Sequence, residues 1–444
     1  MRHHPAGATM QQNDDHVQTR WFIPARVEVP PRRASLTLGL GAAVRFYREL
    51  QVPGIGGVRF VRQISWAVAG LAIAEECHVS PARVANAIEA LACKHAWASE
   101  VEGVGRERVL GVRAFPQEPD AWSFAELCQA RYYVQNTYRQ ATVAALADEG
   151  GLGFTTGSRL FNGMKLSAHG RELAKLFLSQ VAGRGEARLS KQLLDWVGGA
   201  RNLGRTAYTA GRALSPRWAK FANAGGPDEG ALVLARLQAT TRGDLPGTDP
   251  ERRSHLLDAF EVLQGTDGLP PLHAALVERL RVSGYAAQVA ELEVARAFGE
   301  VLGAARRLVH AVAQALAEDQ REVAPASELA PDERVRAGEE RLLAAFEDYR
   351  RCARGHGRSH PEALHICDAL GETGDSARRI EQLVARDGAI LRSPGAGRIE
   401  RGELFASHKE LAVDAEDDEA AEIRGAITPR LRQLHGLWRD CHAS

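Results

Sequence analysis

The strongest constraint on this chain is one long run without a helix breaker. Residues 289–316, VAELEVARAFGEVLGAARRLVHAVAQAL, contain no proline and set Leu292, Val301, Leu302, Ala305, Leu308, Val309, Val312 and Leu316 on one stripe at helical spacing. A stripe of that length must be covered by other elements, so it predicts the spine of a helical domain. The surrounding sequence agrees: 272–316 and 334–354 both read as helical. The chain is 444 residues long, room for two to four domains. The predicted fold class is mainly α, a multidomain helical protein with winged-helix-like helix–hairpin units.

The first such unit is read at residues 21–120. WFIPARVEVPP is a proline-punctuated entry. A helix is predicted over 41–51, ended by Pro53-Gly54, and a largely buried second helix over 58–76. Ser80 before Pro81 is an N-cap with proline at N1, opening SPARVANAIEALACKHAW. Its apolar face is Val84, Ala87, Ile88 and Leu91, which leaves Arg83, Asn86, Glu89 and Lys94 on the outside. WASEV and RERVLGVRAF flank the turn EGVG as a predicted hairpin. Helix, short turn, capped helix and hairpin is the order of a winged helix-turn-helix, with Arg83 and Asn86 as base readers and Arg106 and Arg108 as wing contacts to phosphate. The outer face holds an acid in its middle, so a protein-contact role for the unit stands beside the DNA-contact one.

Residues 121–149 are predicted to be one helix, aromatic on one side. From Phe154 to Lys220 the charge segregates: twelve basic residues stand against Glu172, Glu186 and Asp195, although the whole chain balances 56 Lys+Arg with 56 Asp+Glu. Local patches steer polyanions whatever the total. Arg201, Arg205, Tyr208 and Arg212 recur at i, i+4, i+7 and i+11, followed by Arg217, Trp218 and Lys220. With Arg159 and Lys165, these residues form a candidate phosphate track with Tyr208 and Trp218 as stacking platforms. A solvated surface face is the alternative reading. Residues 223–254 are turn-rich and read as a linker or an elaborated loop, giving a helical basic region over 121–254. GDSARRIEQLVARDG, AILRS, PGAG and RIERGELF repeat the helix–hairpin order at 375–405, inside a C-terminal domain spanning 255–412. It reads as a second winged-helix-like unit or a helix with a docking hairpin. VDAEDDEAAE carries six carboxylates within a 413–444 tail that closes in an amphipathic helix.

Residues 1–20 are polar, lack a secretory apolar core and read as a disordered start in a cytoplasmic protein, with Met1 or Met10 as initiator. The longest apolar run, Ile64 to Ala74, is too short to span a membrane, so no membrane partner is expected. Of the 56 basic residues 50 are arginine, which suits phosphate recognition and also follows from a GC-rich genome. No GxxxxGK[ST], HExxH, GxSxG or CxxC pattern occurs, so no catalytic residue and no cofactor is assigned. Cys352, His356, His360, His365 and Cys367 are dense, but their spacing matches no zinc finger. They read as a turn with solvent-facing histidines and a buried cysteine rather than a metal site.

LGLGAAVRFYRELQVPGIGGVRFVRQISWAVAGLAIAEE (38–76) resembles the opening of an uncharacterised bacterial protein family of phage-defence loci, at Gly39, Gly41, Pro53, Gly54, Arg59, Arg62 and Trp66. LSAHGRELAKLFLSQV (166–181) and ARAFGEVLGAARRLVHAV (295–312) are similar too. The resemblance implies a component of an antiphage assembly that works beside an ATPase or nuclease subunit, and it carries over no catalytic residue. The sequence is therefore expected to encode a non-catalytic DNA-binding or sensing subunit. A protein scaffold without nucleic acid and a metal-dependent nuclease or hydrolase are the rival readings.

Overall fold

Helices form wherever apolar residues recur at three- and four-residue intervals, and they stop at prolines, glycines and capping side chains. The computed structural model describes residues 37–98, 110–111, 114–117, 122–134, 136–180, 188–199, 225–239, 249–264, 271–403, 405 and 427–443. In chain order, α1 (Gly41–Gln51), α2 (Val61–Cys77) and α3 (Pro81–Ala98) are followed by the short α4 (Phe124–Leu127) and by α5 (Tyr138–Leu146). Strands β1 (Thr155–Gly157) and β2 (Met164–Leu166) make an antiparallel hairpin. Then come α6 (Ala168–Leu178), α7 (Leu189–Val197), α8 (Pro227–Gln238), α9 (Arg252–Leu263), α10 (His273–Val282) and α11 (Ala286–Glu318). The C-terminal part holds β3 (Val323–Pro325), α12 (Ala326–Leu329), α13 (Glu333–His356), α14 (Pro361–Gly371), α15 (Ser376–Asp387), β4 (Leu391–Gly395), β5 (Arg398–Arg401) and α16 (Pro429–His442). The fold class is mainly α, as the periodicity predicts.

The long stripe does what its length demands. All eight of its apolar residues on α11 are buried, seven of them, from Val301 to Leu316, packed with α1, α13, α14, α15 and the small sheet in one core and Leu292 in a second. A buried Leu or Val contributes about 1.5–3 kcal/mol, so this stripe is a main source of cohesion. A second core joins one face of α2, Val61, Ile64, Val68 and Leu71, to α5, α6, α8, α9, α10 and α16. A third gathers the other face of α2, Trp66, Ala69 and Ile73, with α3, α7 and Phe115, Trp122, Leu127, Tyr133 and Tyr138. Helix α2 serves both, which is why it is buried almost all round.

Polar pins cross these cores. Arg62 and Glu229 form a buried ion pair at 3.1 Å, and Ser65 and Gln180 also donate to the Glu229 carboxylate. Arg253 donates from Nε to the Leu237 carbonyl and from Nη2 to those of Arg236 and Ala239, closing the otherwise unpaired C-terminal end of α8. At its first residue, α2 donates Val61 N to Asp440 Oδ2 at 2.8 Å, a cap supplied from α16 across 379 positions. Pro53 and Gly54 make a tight turn with positive φ at Gly54, whose amide donates to Glu49 Oε2.

Four sequence expectations change. Residues 121–149 are not one helix: Ser123 with Glu126 forms a capping box on α4, and Thr137 caps α5. The chain therefore turns between them and wraps α3. The 272–316 run is split into α10 and α11 at Ser283-Gly284. Within the expected linker 223–254, residues 227–238 form α8, a helix with proline in its first turn and core residues Val233 and Leu237. The hairpin expected from 97 to 115 is not strand where it is described, since Trp97 and Ala98 belong to α3, Leu110–Gly111 is a turn and Phe115–Gln117 is a 3₁₀ turn.

Candidate nucleic-acid interface

Helix α3 begins at Pro81 as its cap sequence predicts, but its outer face is not outside. Glu89 is fully buried and accepts from the backbone N–H groups of Tyr138 and Arg139, the first turn of α5, and from the Tyr133 hydroxyl. It acts as a cap for a neighbouring helix. Burial lifts its carboxyl to about 7 against the pull of those donors. Lys94 is buried with its ammonium 4.8 Å from the Trp122 ring. Asn86 is half-buried and accepts from Arg139 Nε. Arg83 stays exposed and donates to Cys128 Sγ. The expectation that four polar residues line the outside of α3 is thus corrected: the break between α4 and α5 folds that segment over the helix and takes two of them into the core.

The hairpin that meets α3 comes later in the chain. Between β1 and β2, Asn162 Oδ1 accepts from Ala82 N at 2.9 Å and from Ser80 Oγ, capping α3 at its N-terminus. Arg159 and Lys165 are exposed on this hairpin, with Leu160 at its tip 78 % exposed, and Arg171 and Lys175 are exposed on α6. The structure therefore brings Arg83, Arg159 and Lys165 to one hairpin–helix junction. Arg106, Arg108, Arg201, Arg205, Tyr208, Arg212, Arg217, Trp218 and Lys220 lie outside the described residues.

The Cys/His group does not converge. Cys352 and His356 end α13, His360 precedes α14 with its ring 5.5 Å from Phe46, and His356 and His365 face solvent. Cys367 sits in the core, where burial pushes its thiol up to about 12. Among the described residues, no three His, Cys, Asp or Glu side chains are grouped to hold a metal ion. No helix among them is long and apolar enough to cross a membrane.

The second helix–hairpin region is fully formed. Helix α15 starts at an Asp375 cap and ends at Gly388 in the left-handed region. The chain then runs into β4 and β5, and β3 adds to the free side of β5, so the sheet order is β3-β5-β4 with all pairs antiparallel. The inner face of α15 buries Ile380, Leu383 and Val384. Glu381 Oε1 accepts from Gly397 N and Ser393 Oγ, which ties the hairpin turn to the helix. Arg379 points inward to Glu339 and to the carbonyls of Leu370 and Thr373. Facing out are Arg378 and Ala385, with Gln382 and Arg386 half-exposed, while the hairpin exposes Arg392 and Arg398. Arg392 pairs with Glu403, and Arg401 with Glu322.

Sequence reasoning gave this outward set no role. Its signal was present in the order helix, Gly388, strand, PGAG, strand; the third strand, from residues 323–325, is invisible to local periodicity. Comparison with known proteins yields no relative to reason from: no family model, no curated protein and no solved structure matches the chain.

Proposed function

We propose that this protein is a non-catalytic DNA-binding component of a larger assembly, with α15 and the β4–β5 hairpin as its DNA-facing element. One observation supports the reading: strand β3, helices ending in α15, then hairpin β4–β5, closed in the order β3-β5-β4, resembles the order of a winged helix. On that element Arg378, Gln382 and Arg386 lie within one outward arc of α15, and Ala385 and Gly388 permit close approach. Arg and Gln are the side chains whose paired donors and acceptors fit guanine and adenine edges. Arg392 and Arg398 on the hairpin suit phosphate contacts. The resemblance of 38–76 to a phage-defence-locus family supports an antiphage setting with ATPase or nuclease partners. Arg159, Lys165 and the 201–220 basic segment are a second contact region in this reading.

The test is fluorescence anisotropy on duplex oligonucleotides at several salt concentrations. Arg398→Ala should weaken all sequences similarly and lower the salt slope by about one unit. Gln382→Ala should change sequence preference instead. A triple Arg201→Glu/Arg205→Glu/Arg212→Glu variant measures the share of the basic segment. Wild-type protein that fails to bind at low salt would overturn the proposal and leave the scaffold reading. Mg²⁺- or Mn²⁺-dependent cleavage by the purified chain would overturn its non-catalytic part.

A further inference from the structure

A well-formed cavity lies away from the helix–hairpin unit, where α1, α11 and α16 meet. It encloses about 410 Å³, within the size range of small-molecule sites. Part of its lining is apolar. Tyr47 and Phe298 stack with ring centroids 4.5 Å apart, Leu302 lies beside them, and α11 presents Gly299 and Gly303 to the cavity. A Cβ at Gly299 would meet no atom within 4 Å, so that glycine leaves open space in the middle of a helix where alanine would be favoured.

The walls are cationic. Arg48, Arg296, Arg306, Arg307, Arg430 and Arg432 all line the cavity, against one lining carboxylate, Glu300. Arg296 is answered by Glu293 and Asp348, and Arg430 by Glu49, so those two are held in place by fixed partners. Arg48 is solvent-exposed and has no such partner among the described residues. Guanidinium groups gathered along one cavity repel one another, and an anion among them removes that cost.

We propose that this cavity binds a mononucleotide, its phosphate at the Arg48–Arg430 wall and its planar base laid over Gly299 and Gly303 beside Phe298. Arginine forks match phosphate oxygens in pairs, and a helix surface left bare at Gly299 gives a planar heterocycle room to lie. The site is independent of the DNA-facing element, so neither proposal stands or falls with the other.

The experiment is isothermal titration calorimetry on the full chain with AMP, GMP, CMP and UMP, with adenosine and inorganic phosphate as controls. At least one mononucleotide should bind saturably with a Kd below about 1 mM. Its nucleoside should bind at least about tenfold more weakly, and Arg48→Ala should weaken binding by about tenfold or more. Gly299→Leu should abolish binding while raising Tm, because it fills the cavity and improves the helix. Failure of all four mononucleotides to saturate would overturn the proposal. So would a nucleoside binding as well as its nucleotide, or full binding retained by Gly299→Leu with unchanged or higher Tm. Inorganic phosphate binding as tightly as the best nucleotide would reduce the site to an anion hole and refute the base-stacking half.

Discussion

Two glycines share one backbone conformation and differ in surroundings, which allows conformational cost and crowding to be measured apart. Gly388 follows α15 with φ +62 and has nothing within 4 Å of a would-be Cβ. Gly54 has φ +69, but a Cβ there would overlap the Gly150 carbonyl oxygen and lie 2.9 Å from its carbon and 3.0 Å from Gly151 Cα. Gly388→Ala should cost about 1–2 kcal/mol, the left-handed penalty of an L-residue, offset in part by the lower entropy of the unfolded chain. Gly54→Ala carries the same term plus overpacking against backbone, about 1–3 kcal/mol more. The obstacle is main chain, so no rotamer change can relieve it. Urea unfolding at neutral pH, followed by circular dichroism, should therefore give a loss of about 1 kcal/mol for Gly388→Ala and about 3 kcal/mol for Gly54→Ala. Equal losses, within about 0.5 kcal/mol, would show that the 53–54 turn does not press on the 150–151 turn, and the argument for close approach fails.

Other outcomes follow from buried polar groups. Glu229→Gln strands the Arg62 guanidinium and should cost about 3–5 kcal/mol in urea unfolding; a loss under about 1 kcal/mol would mean that the pair is solvated. His95 is buried with its pKa lowered to about 3, so the unfolded chain takes up that proton first. Its contribution is complete above pH 6.5 and is lost as pH falls toward 3, about 3 kcal/mol of it by pH 4. His95→Phe should flatten that part of the profile, and an unchanged profile counts against the assignment. Asn162→Ala removes the cap on α3 and should cost about 1 kcal/mol, read as earlier amide exchange in the first turn of that helix. Of six free thiols only Cys77 and Cys352 are partly exposed, so a disulfide reagent should label these two in native protein. Prompt labelling of all six would contradict the packing.

Helix positions were legible because the local signals were strong. Pro81 behind Ser80, Pro53-Gly54 and the stripe from Leu292 to Leu316 each lie where the structure uses them. What local reading missed was decided by distant partners. Glu89 and Lys94 look like surface charges until the α4–α5 segment covers them. The break in that segment was written in Ser123-x-x-Glu126 and Thr137-x-x-Gln140, capping signatures outweighed by its overall helical composition. Helix α8 was hidden by the glycines and prolines flanking it. The abundance of arginine also gains a reading that composition could not offer. Arg62, Arg253, Arg379 and Arg430 are internal fasteners bonded to carboxylates or helix-end carbonyls, which leaves a smaller set for polyanions. Residues of the phage-defence resemblance take part in this architecture: Pro53 gives its carbonyl to Arg253, and Arg62 pairs with Glu229.

The bond from Val61 to Asp440 also puts a clock on biosynthesis. A ribosome adding 5–20 residues per second finishes Asp440 roughly 20–75 s after Val61. Throughout that interval α2, among the most apolar helices of the chain, has an open first turn and part of its core unmade. Nascent chains in this window are natural clients for chaperones. A message ending before α16 would yield a product held in that state for good, so a stop just ahead of α16 should be as damaging as an early one. Pulse-labelled full-length and truncated chains, compared for protease resistance over time, would expose that delay directly.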